Sequence, residues 1–360
     1  MKMTQVQKSG SGERFLFADG LRGLAALWVV LFHLEEGKHI PFLLQALPEW
    51  LGHSLFSNGH LGVPVFLVLS GYVMAWTVRK TRLNFKSAAN FLMRRLTRLS
   101  PPYYFSILFA IVFLILKAIQ VKDWSIIPSL SSVGAHALYI EKLFGFKYIN
   151  SVYWTLWIEI QFYIFFIVIL LLVDNIKKDA INHTARYTAF YIIALFSLLW
   201  PLQLLTDPMW PEGFIRFWYC FSAGLMASWT LAVPNRKHEL LGIVYFLAIL
   251  GIGLYINDLF VIVSGATAIL LFLAGKFNYM SKWLNWSWIQ FLGAISYSLY
   301  LLHNPLTGAT ANVLRKILHP GLLTDCVVSV VTISVSIFVA WLAYKLIELP
   351  SIRLSHRFKS

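Results

Sequence analysis

Arg22 and His33 stand at either end of an otherwise apolar stretch, and they are the first side chains in the sequence that could do chemistry together. If the stretch is helical, the eleven positions from Arg22 to His33 separate the two side chains by about 16 Å along the axis and about 20° around it. Both side chains would then face the same way. An ionisable pair on one face of a membrane helix is costly unless that face meets protein or water. The pattern fits a functional pair, but it also fits an arginine that reaches the membrane surface and a histidine that is hydrogen-bonded in the core.

Glu159 and His303 are two further ionisable side chains within apolar stretches. A histidine can act as a general base at neutral pH, and a nearby carboxylate can orient the imidazole or bind a hydroxyl nucleophile. His303 has a simpler alternative role, because Asn304 and Pro305 follow it and could end a helix there. Glu159 lacks such an alternative, since an unpaired carboxylate among aromatic and aliphatic neighbours is costly.

Arg94, Arg95 and Arg98 form a basic cluster in the first third of the sequence. Guanidinium groups make two-pronged hydrogen bonds to phosphate oxygens, so the cluster would suit a multiply phosphorylated ligand. The alternative is a positively charged anchor on anionic lipid. The residue pattern by itself favours the anchor.

The composition is that of a polytopic membrane protein. Of the 360 residues, 58% are hydrophobic and only 13% are charged, a balance that argues against soluble domains. The net charge of +14 would suggest a nucleic-acid partner for a soluble chain, but here the basic residues gather in particular connections, so we expect no nucleic acid. Cys220 and Cys326 both lie in apolar segments and predict neither a disulfide framework nor a metal site.

Ten apolar segments can be marked, and they predict an all-α membrane protein with about ten transmembrane helices. They run about 18–34, 60–78, 100–117, 153–173, 186–205, 214–232, 239–256, 258–275, 286–304 and 325–348. We expect a cytoplasmic tail at 1–17, one transmembrane domain at 18–350 and a second cytoplasmic tail at 351–360.

The basic residues predict the orientation of these segments. With the N-terminus inside, 21 of the 30 Lys and Arg residues fall on the cytoplasmic side and eight on the outer side. Cytoplasmic connections carry such an excess, so both termini are predicted to be cytoplasmic. His33, Glu159 and His303 are then expected near the outer ends of their helices, and the arginines near the inner ends.

Two connections between the segments are long. Residues 79–99 carry seven basic and no acidic side chains, and their second half has helical spacing that suits a helix lying at the membrane interface. Residues 118–152, on the predicted outer side, are too polar to span a membrane and long enough to cover an external cleft.

Six segments resemble, in the same order, the motifs of the acyltransferase-3 family of bacterial membrane acyltransferases. They are LRGLAALWVVLFH at 21–33, GVPVFLVLSGYVM at 62–74, RRLTRLSPPYY at 94–104, WTLWIEIQFYI at 154–164, ISYSLYLLHNPL at 295–306 and IELPSIRL at 347–354. Each motif alone is weak, whereas six in the right order along nearly the whole chain are a strong signal.

The resemblance implies transfer of an acyl group from cytoplasmic acyl-CoA, with acetyl-CoA as the expected donor, to an outward-facing hydroxyl of a cell-envelope glycan or glycolipid. It implies that His33 is the catalytic histidine and Glu159 the essential acidic group, and that Arg22, Arg95 and Arg98 handle acyl-CoA. The expected supporting residues are Ser70, Tyr72, Tyr297 and His303. No metal and no tightly bound cofactor is expected.

The chain departs from the family pattern at two places. Some relatives continue into a periplasmic hydrolase-like domain, whereas this sequence stops at Ser360, so we expect it to act directly on its acceptor or to pass the acyl group to a separate protein. Trp157 and Ile160 stand beside Glu159, where the family more often has a small or polar residue and a second acid. These two side chains are expected to reshape the acceptor side.

The favoured function is therefore O-acyl transfer, with O-acetyl transfer first, in the inner membrane of a bacterium. One alternative is a proton-coupled transporter that uses Glu159 and the histidines as a proton relay. Others are an acyl-group carrier serving a separate transferase, and a membrane sensor whose arginines only bind lipid. A transporter of this kind would favour broken helices and an internal repeat, and the sequence has neither.

Overall fold

A computed structural model of the protein describes residues 15–175, 183–205, 213–232 and 235–358, and within these ranges it contains helices and no strand. In chain order the α-helices are α1 (Leu16–Glu36), α2 (Pro41–Ala46), α3 (Glu49–Leu55), α4 (Gly62–Val78), α5 (Phe85–Val121), α6 (Leu130–Ala137), α7 (Tyr153–Asp174), α8 (His183–Ser197), α9 (Trp218–Ala232), α10 (Arg236–Ile256), α11 (Leu259–Lys276), α12 (Ser287–Ile317), α13 (Leu322–Ala343) and α14 (Leu349–Ser355). Ten of these have at least 15 residues, and each overlaps one of the ten predicted segments. The predicted tail up to residue 14, Lys177, Lys178 and Lys359 lie outside the described residues.

Seven helical stretches within the described ranges are long and apolar enough to cross a membrane. They are Leu16–Glu36, Glu49–Val78, Phe85–Val121, Tyr153–Asp174, Arg236–Ile256, Leu259–Lys276 and Leu322–Ser355. The predicted class, an all-α multi-pass membrane protein, is confirmed. The number of ten spans, the sides of the termini and the domain limits stay predictions; the limit drawn after residue 350 falls inside α14.

Helix α5 corrects the expectation of a separate interfacial helix before the third span. It is continuous for 37 residues, from Phe85 to Val121, and passes through Pro101 and Pro102. A capping box fixes the start of α5 at Phe85, well before the predicted span. Asn84 accepts a hydrogen bond from the Ser87 backbone, and the Ser87 hydroxyl accepts one from the Asn84 backbone, each 2.9 Å long. Helix α5 packs against α7, α12 and α14. Before the prolines Tyr297 of α12 donates to the Leu99 carbonyl, and beyond them Ser106 is hydrogen-bonded to Tyr153 of α7, so tertiary contacts on both sides of the prolines stabilise one long helix.

Helix α12 also continues where the sequence predicted an end. It runs through His303, Asn304 and Pro305 to Ile317. Pro305 lacks the N–H that would bond to the Leu301 carbonyl four residues earlier. The side-chain amide of Asn150 donates to that carbonyl over 3.2 Å instead. The helix can therefore pass the proline without leaving a buried acceptor unpaired.

Helices α1 and α12 lie side by side and run in the same direction. Gly23 and Gly293 meet where they cross, and a Cβ added at Gly23 would lie 2.5 Å from the backbone nitrogen of Gly293. Further along both helices His33 meets His303, with ring centroids 4.8 Å apart. Small residues allow this close approach between membrane helices. The pairing directs both Arg22 and His33 towards α12, so the prediction that they share a face is confirmed.

Candidate active site

A cavity of about 120 Å³ opens between α1, α4, α5, α7 and α12. It is lined by Arg22, Val63, Phe66, Leu67, Leu69, Ser70, Val73, Arg95, Arg98, Leu99, Thr155, Leu156, Glu159, Tyr163, Ser296, Tyr297 and Tyr300. We call it the arginine cavity. It brings together six of the residues predicted from the sequence (Arg22, Ser70, Arg95, Arg98, Glu159 and Tyr297), which come from five different helices.

The guanidinium groups give the arginine cavity its positive charge. Arg22 comes from α1, and Arg95 and Arg98 come from successive turns of α5. The Arg95 guanidinium carbon lies 5.7 Å from the centre of the Tyr163 ring. Arg94 points elsewhere and contacts the Nδ1 atom of His356 at 3.2 Å. Two of the three clustered arginines therefore line the cavity.

Glu159 is held by hydroxyl groups. Ser70 on α4 and Tyr163, one turn along α7, both donate to its Oε1 atom. Arg95 lies close enough to interact electrostatically with both Glu159 and Tyr163. The carboxylate is thus oriented by two neutral donors and has a guanidinium group beside it, which lowers the cost of keeping it charged away from water.

The depth of Glu159 differs from the expectation that it would lie level with His33. Thr155, in the first turn of α7, is hydrogen-bonded to the Tyr300 hydroxyl at 2.9 Å, and Tyr300 lies one turn before His303. Glu159 follows Thr155 by another turn in the direction away from the histidines. The reason is that the chain is already inside the bundle before α7 begins, because Asn150 is buried against Leu301. Glu159 therefore lies with the arginines.

The other predicted supporting residues take different positions. Tyr297 donates from its hydroxyl to the Leu99 carbonyl over 2.9 Å and so ties α12 to the turn that carries Arg98. Tyr72 lines no part of the arginine cavity, since it is buried against Phe15 and Trp76, with ring centroids 5.6 and 6.4 Å away.

Glu348 is a residue that our reading of the sequence missed. It ends a short π-helical turn, Tyr344–Glu348, is 2% exposed and accepts a hydrogen bond of 2.6 Å from Ser298. Arg98 and Arg22 are close enough to interact with it electrostatically. π-Helical turns are frequent at functional sites. Glu348 lies within the motif at 347–354, which could have identified it. Because the last apolar segment was predicted to end at about residue 348, we expected Glu348 at the membrane surface and not beside the cavity.

His33 and His303 form a buried pair beyond the end of the arginine cavity that Tyr300 lines. Their rings meet edge to face, and they are 8% and 0% exposed. The Nδ1 atom of His303 lies 3.0 Å from the Leu299 carbonyl and 2.8 Å from the Tyr300 carbonyl. Because carbonyls only accept, Nδ1 must carry the proton, which leaves Nε2 of neutral His303 as an acceptor. That Nε2 and the Nδ1 of His33 are buried without a hydrogen-bond partner among the described residues.

A carboxylate lies beside His33. Its Nε2 atom is 3.7 Å from Oε2 of Glu36, which is one turn further along α1. Glu36 is largely exposed, so the interaction is screened by water. The spacing of three residues in one helix was the signal that could have identified Glu36.

The site therefore has two parts along α1. Arg22 lies in the arginine cavity and His33 in the histidine pair, about 16 Å apart by helical rise. The Tyr300 side chain, with Thr155 on one side and Phe66 5.4 Å away on the other, stands between the two parts. No group of three or more potential metal ligands is found in the part of the chain that the structure describes.

Comparison with known proteins agrees with the motifs. The acyltransferase-domain model of the acyltransferase-3 family matches residues 15–344. The peptidoglycan O-acetyltransferase OatA of Listeria monocytogenes is 24% identical over 371 residues, which cover 92% of this chain and 55% of that protein. YrhL of Bacillus subtilis, provisionally named a peptidoglycan O-acetyltransferase, is 25% identical over 327 residues, which cover 80% of this chain and 48% of that protein.

This chain thus spans about half the length of these curated relatives. No solved structure gives a significant match. The family match extends from the first described helix into the π-helical turn before Glu348 and includes every residue that lines the arginine cavity. The chain belongs to the acyltransferase-3 family.

Proposed function

We propose that this protein is a transmembrane O-acyltransferase that uses acyl-CoA, with acetyl-CoA as the preferred donor, and acylates a hydroxyl of a cell-envelope glycan or glycolipid in the bacterial inner membrane. The observation that carries the proposal is the placement of three arginines in one cavity, with Arg22 about 16 Å along α1 from His33 of the buried histidine pair. The peptidoglycan O-acetyltransferase names of its relatives support a glycan acceptor.

The donor would bind with its phosphates on Arg22, Arg95 and Arg98. Their forked donors suit phosphate oxygens better than single ammonium groups would. The pantetheine arm would then extend past Tyr300 towards His33 and carry the thioester with it. Because the Tyr300 hydroxyl is bonded to Thr155, the side chain would have to rotate to let the arm pass.

The chemical step would take place at the histidine pair. His33 would take the proton of the acceptor hydroxyl while the hydroxyl oxygen attacks the carbonyl carbon of the thioester. The tetrahedral intermediate would collapse by breaking the carbon–sulfur bond, and the leaving thiolate would receive the proton from His33. The products are an ester on the acceptor and free coenzyme A, and no other reactant is needed. His303, whose Nε2 is an acceptor, would take a hydrogen bond from a neighbouring hydroxyl of the acceptor and so help to orient it.

Glu159 would act from the arginine cavity. Its distance from His33 argues against direct orientation of that imidazole, so its proposed role is to hold Ser70, Tyr163 and Arg95 in place around the donor. A proton relay for transport would be expected to use a further carboxylate or histidine between Glu159 and the histidine pair. Among the described residues, those found between them are Thr155, Tyr300 and Phe66, and none of these is a carboxylate or a histidine, which favours the enzyme over the transporter.

The test is an assay of purified protein in vesicles, with radiolabelled acetyl-CoA on one side and a soluble glycan on the other. Label appearing in an ester on the glycan is the expected result. Label that remains on the protein until a second transferase is added would instead identify an acyl carrier. Proton movement without any acetyl-CoA consumption would identify a transporter and contradict the proposal.

A further inference from the structure

A second cavity, of about 350 Å³, lies where α4 ends and α8 and α9 come together. Its lining includes Arg79, Lys80, His183, Arg186, Tyr187 and Trp229. We call it the Lys80 cavity. It shares no residue with the arginine cavity, and nothing proposed so far uses it.

The positive charge that a ligand at the mouth of this cavity can reach comes from Lys80, since Arg79 already donates to the Trp76 carbonyl over 2.6 Å and stacks on its ring. Arg186 is already committed, because it forms a buried ion pair with Asp174 and donates to the carbonyls of Thr81 and Val78 at 2.8 and 3.2 Å. Arg186 therefore lines the cavity in a fixed position, and Asp174 neutralises its charge. The Arg79 guanidinium lies flat on Trp76, 3.5 Å from the ring centre. Lys80 is exposed, so its ammonium group is free to reach an anion at the mouth of the cavity.

The opposite wall is aromatic. Tyr187 and Trp229 are in contact, with ring centroids 5.1 Å apart, and both are largely buried. Aromatic faces in such a wall offer apolar contact and stacking to a flat ring. A cavity with cations on one side and aromatic rings on the other suits a ligand that carries both a phosphate and a heterocyclic base.

The Lys80 cavity is aligned with the arginine cavity. On α7, Tyr163 lines the arginine cavity, and Asp174 forms the ion pair with Arg186 of the Lys80 cavity. Asp174 comes eleven positions after Tyr163, so the two residues lie about 16 Å apart along α7 and on nearly the same face. On α4, Val73 lines the arginine cavity. Lys80 comes seven positions later, two residues after the helix ends at Val78. The Lys80 cavity therefore lies beyond the arginine cavity, on the side away from His33.

We infer that the Lys80 cavity binds the phosphorylated adenosine end of the acyl donor, with the 3′-phosphate on Lys80 and the adenine against Tyr187 and Trp229. This inference rests on the proposed function, in which the remaining phosphates lie on the three arginines. A ligand anchored at both cavities would be held in line with α4 and α7, with its thioester arm directed towards the histidine pair. The headgroup of an anionic phospholipid offers the same phosphate chemistry, and the experiment separates the two.

The test compares binding of acetyl-CoA with binding of 3′-dephospho-acetyl-CoA, which differs only in the phosphate. The full chain, in nanodiscs of neutral phosphatidylcholine, should bind acetyl-CoA about 5- to 10-fold more tightly, as expected for a partly exposed charged contact. The Lys80→Gln variant should bind both donors equally. Lys86→Gln is the matched control, since Lys86 is an exposed basic residue of the same connection that lines neither cavity, and it should keep the preference.

The inference about the Lys80 cavity and the proposed function can be tested separately. Arg95→Lys should weaken binding of both donors while the preference for the 3′-phosphate persists. If Lys80→Gln keeps the full preference, this inference is wrong but the proposed function stands. If Lys80→Gln leaves the preference intact and removes thermal stabilisation by added phosphatidylglycerol, the cavity is a lipid site and the inference is overturned. If the parent binds neither donor, both the inference and the proposed function fail.

Discussion

The side-chain amide of Asn150 donates to the carbonyl of Leu301, the acceptor that Pro305 leaves without its helical partner. Asn150 comes from the connection before α7, and its Oδ1 atom also accepts a hydrogen bond of 3.0 Å from Asn304. One buried residue thus lets α12 continue past a proline and fixes the turn that carries His303. It also places the start of α7 inside the bundle, which determines the depth of Glu159.

Asn150→Ala should lower the free energy of unfolding by about 1–3 kcal/mol, because a buried carbonyl loses its donor. Turnover should fall as well, since the same turn positions His303. Unfolding measured in mixed micelles gives the first effect. Ser151→Ala is the control: Ser151 is exposed and bonds to the same Asn304 at 2.8 Å, so it should cost under about 0.5 kcal/mol. Equal losses in the two variants would contradict the role given to Asn150.

His33→Ala should reduce turnover by roughly 10²- to 10⁴-fold, the usual contribution of a general base. Binding of acyl-CoA should change little, because Arg22, one of the arginines proposed to bind the donor phosphates, lies about 16 Å away along α1. Transfer rate and donor affinity are measured separately on folded protein. His303→Ala tests the alternative in which His303 is the base. If the His33 variant keeps its turnover and the His303 variant loses it, His303 is the general base and His33 is not. If acyl label is trapped on His33, the reaction passes through an acyl-histidine instead of direct attack of the hydroxyl on the thioester.

Arg95→Lys and Arg98→Lys should each weaken donor binding about five- to 150-fold, which corresponds to about 1–3 kcal/mol. Lysine keeps the charge but cannot make the two-pronged contact. Isothermal titration with acetyl-CoA provides the measurement. Arg94→Lys is the matched control, because Arg94 lies in the same helix but contacts His356 outside the arginine cavity. Donor binding unchanged in all three variants would favour the lipid-anchor role.

Cysteines introduced at Lys86 and Arg357 should react with a membrane-impermeant reagent only from the cytoplasm, and one at Lys147 only from outside. All three positions are exposed, and the expectation follows from the uneven distribution of basic residues. Lys147 is preferable to nearby Gly145, whose φ of 71° disfavours a side chain. Labelling of intact cells and of inverted vesicles provides the comparison. The opposite pattern would place the arginine cavity on the outer side.

His136 should make stability fall in mild acid. It is fully buried in α6, has its Nδ1 atom 2.7 Å from the Ser132 carbonyl and accepts from the Ile149 backbone at Nε2. Burial lowers the pKa of His136 below its ordinary value of 6.5. Above pH 6.5 both folded and unfolded forms are neutral and the contribution is complete. As the pH falls below 6.5 the unfolded form takes up the proton first, so stability is lost. Unfolding curves at pH 7.5 and 5.5 should differ less in His136→Gln than in the parent; an equal difference would exclude this histidine.

The sequence alone determined where the ten long helices lie and indicated most of the residues of the candidate site. Apolar runs of membrane length mark the ten long helices, because a segment without water must form its hydrogen bonds internally. The relation between Arg22 and His33 could also be predicted, since it depends only on the pitch of one helix. The ordered motifs led to the family and to six of the residues that meet in the arginine cavity.

Only the tertiary structure decided which of these residues meet. Glu159 lies with the arginines because Asn150 draws the start of α7 into the bundle, and a depth of this kind depends on contacts between distant segments. Glu348 reaches Arg22 and Arg98 through a π-helical turn and the packing of α12 on α13. His303 stays within a helix because Leu301 finds a donor 151 residues away in the sequence. Periodicity within one helix contains no information on such partners, because they are determined by how side chains from separate helices fill the space between them.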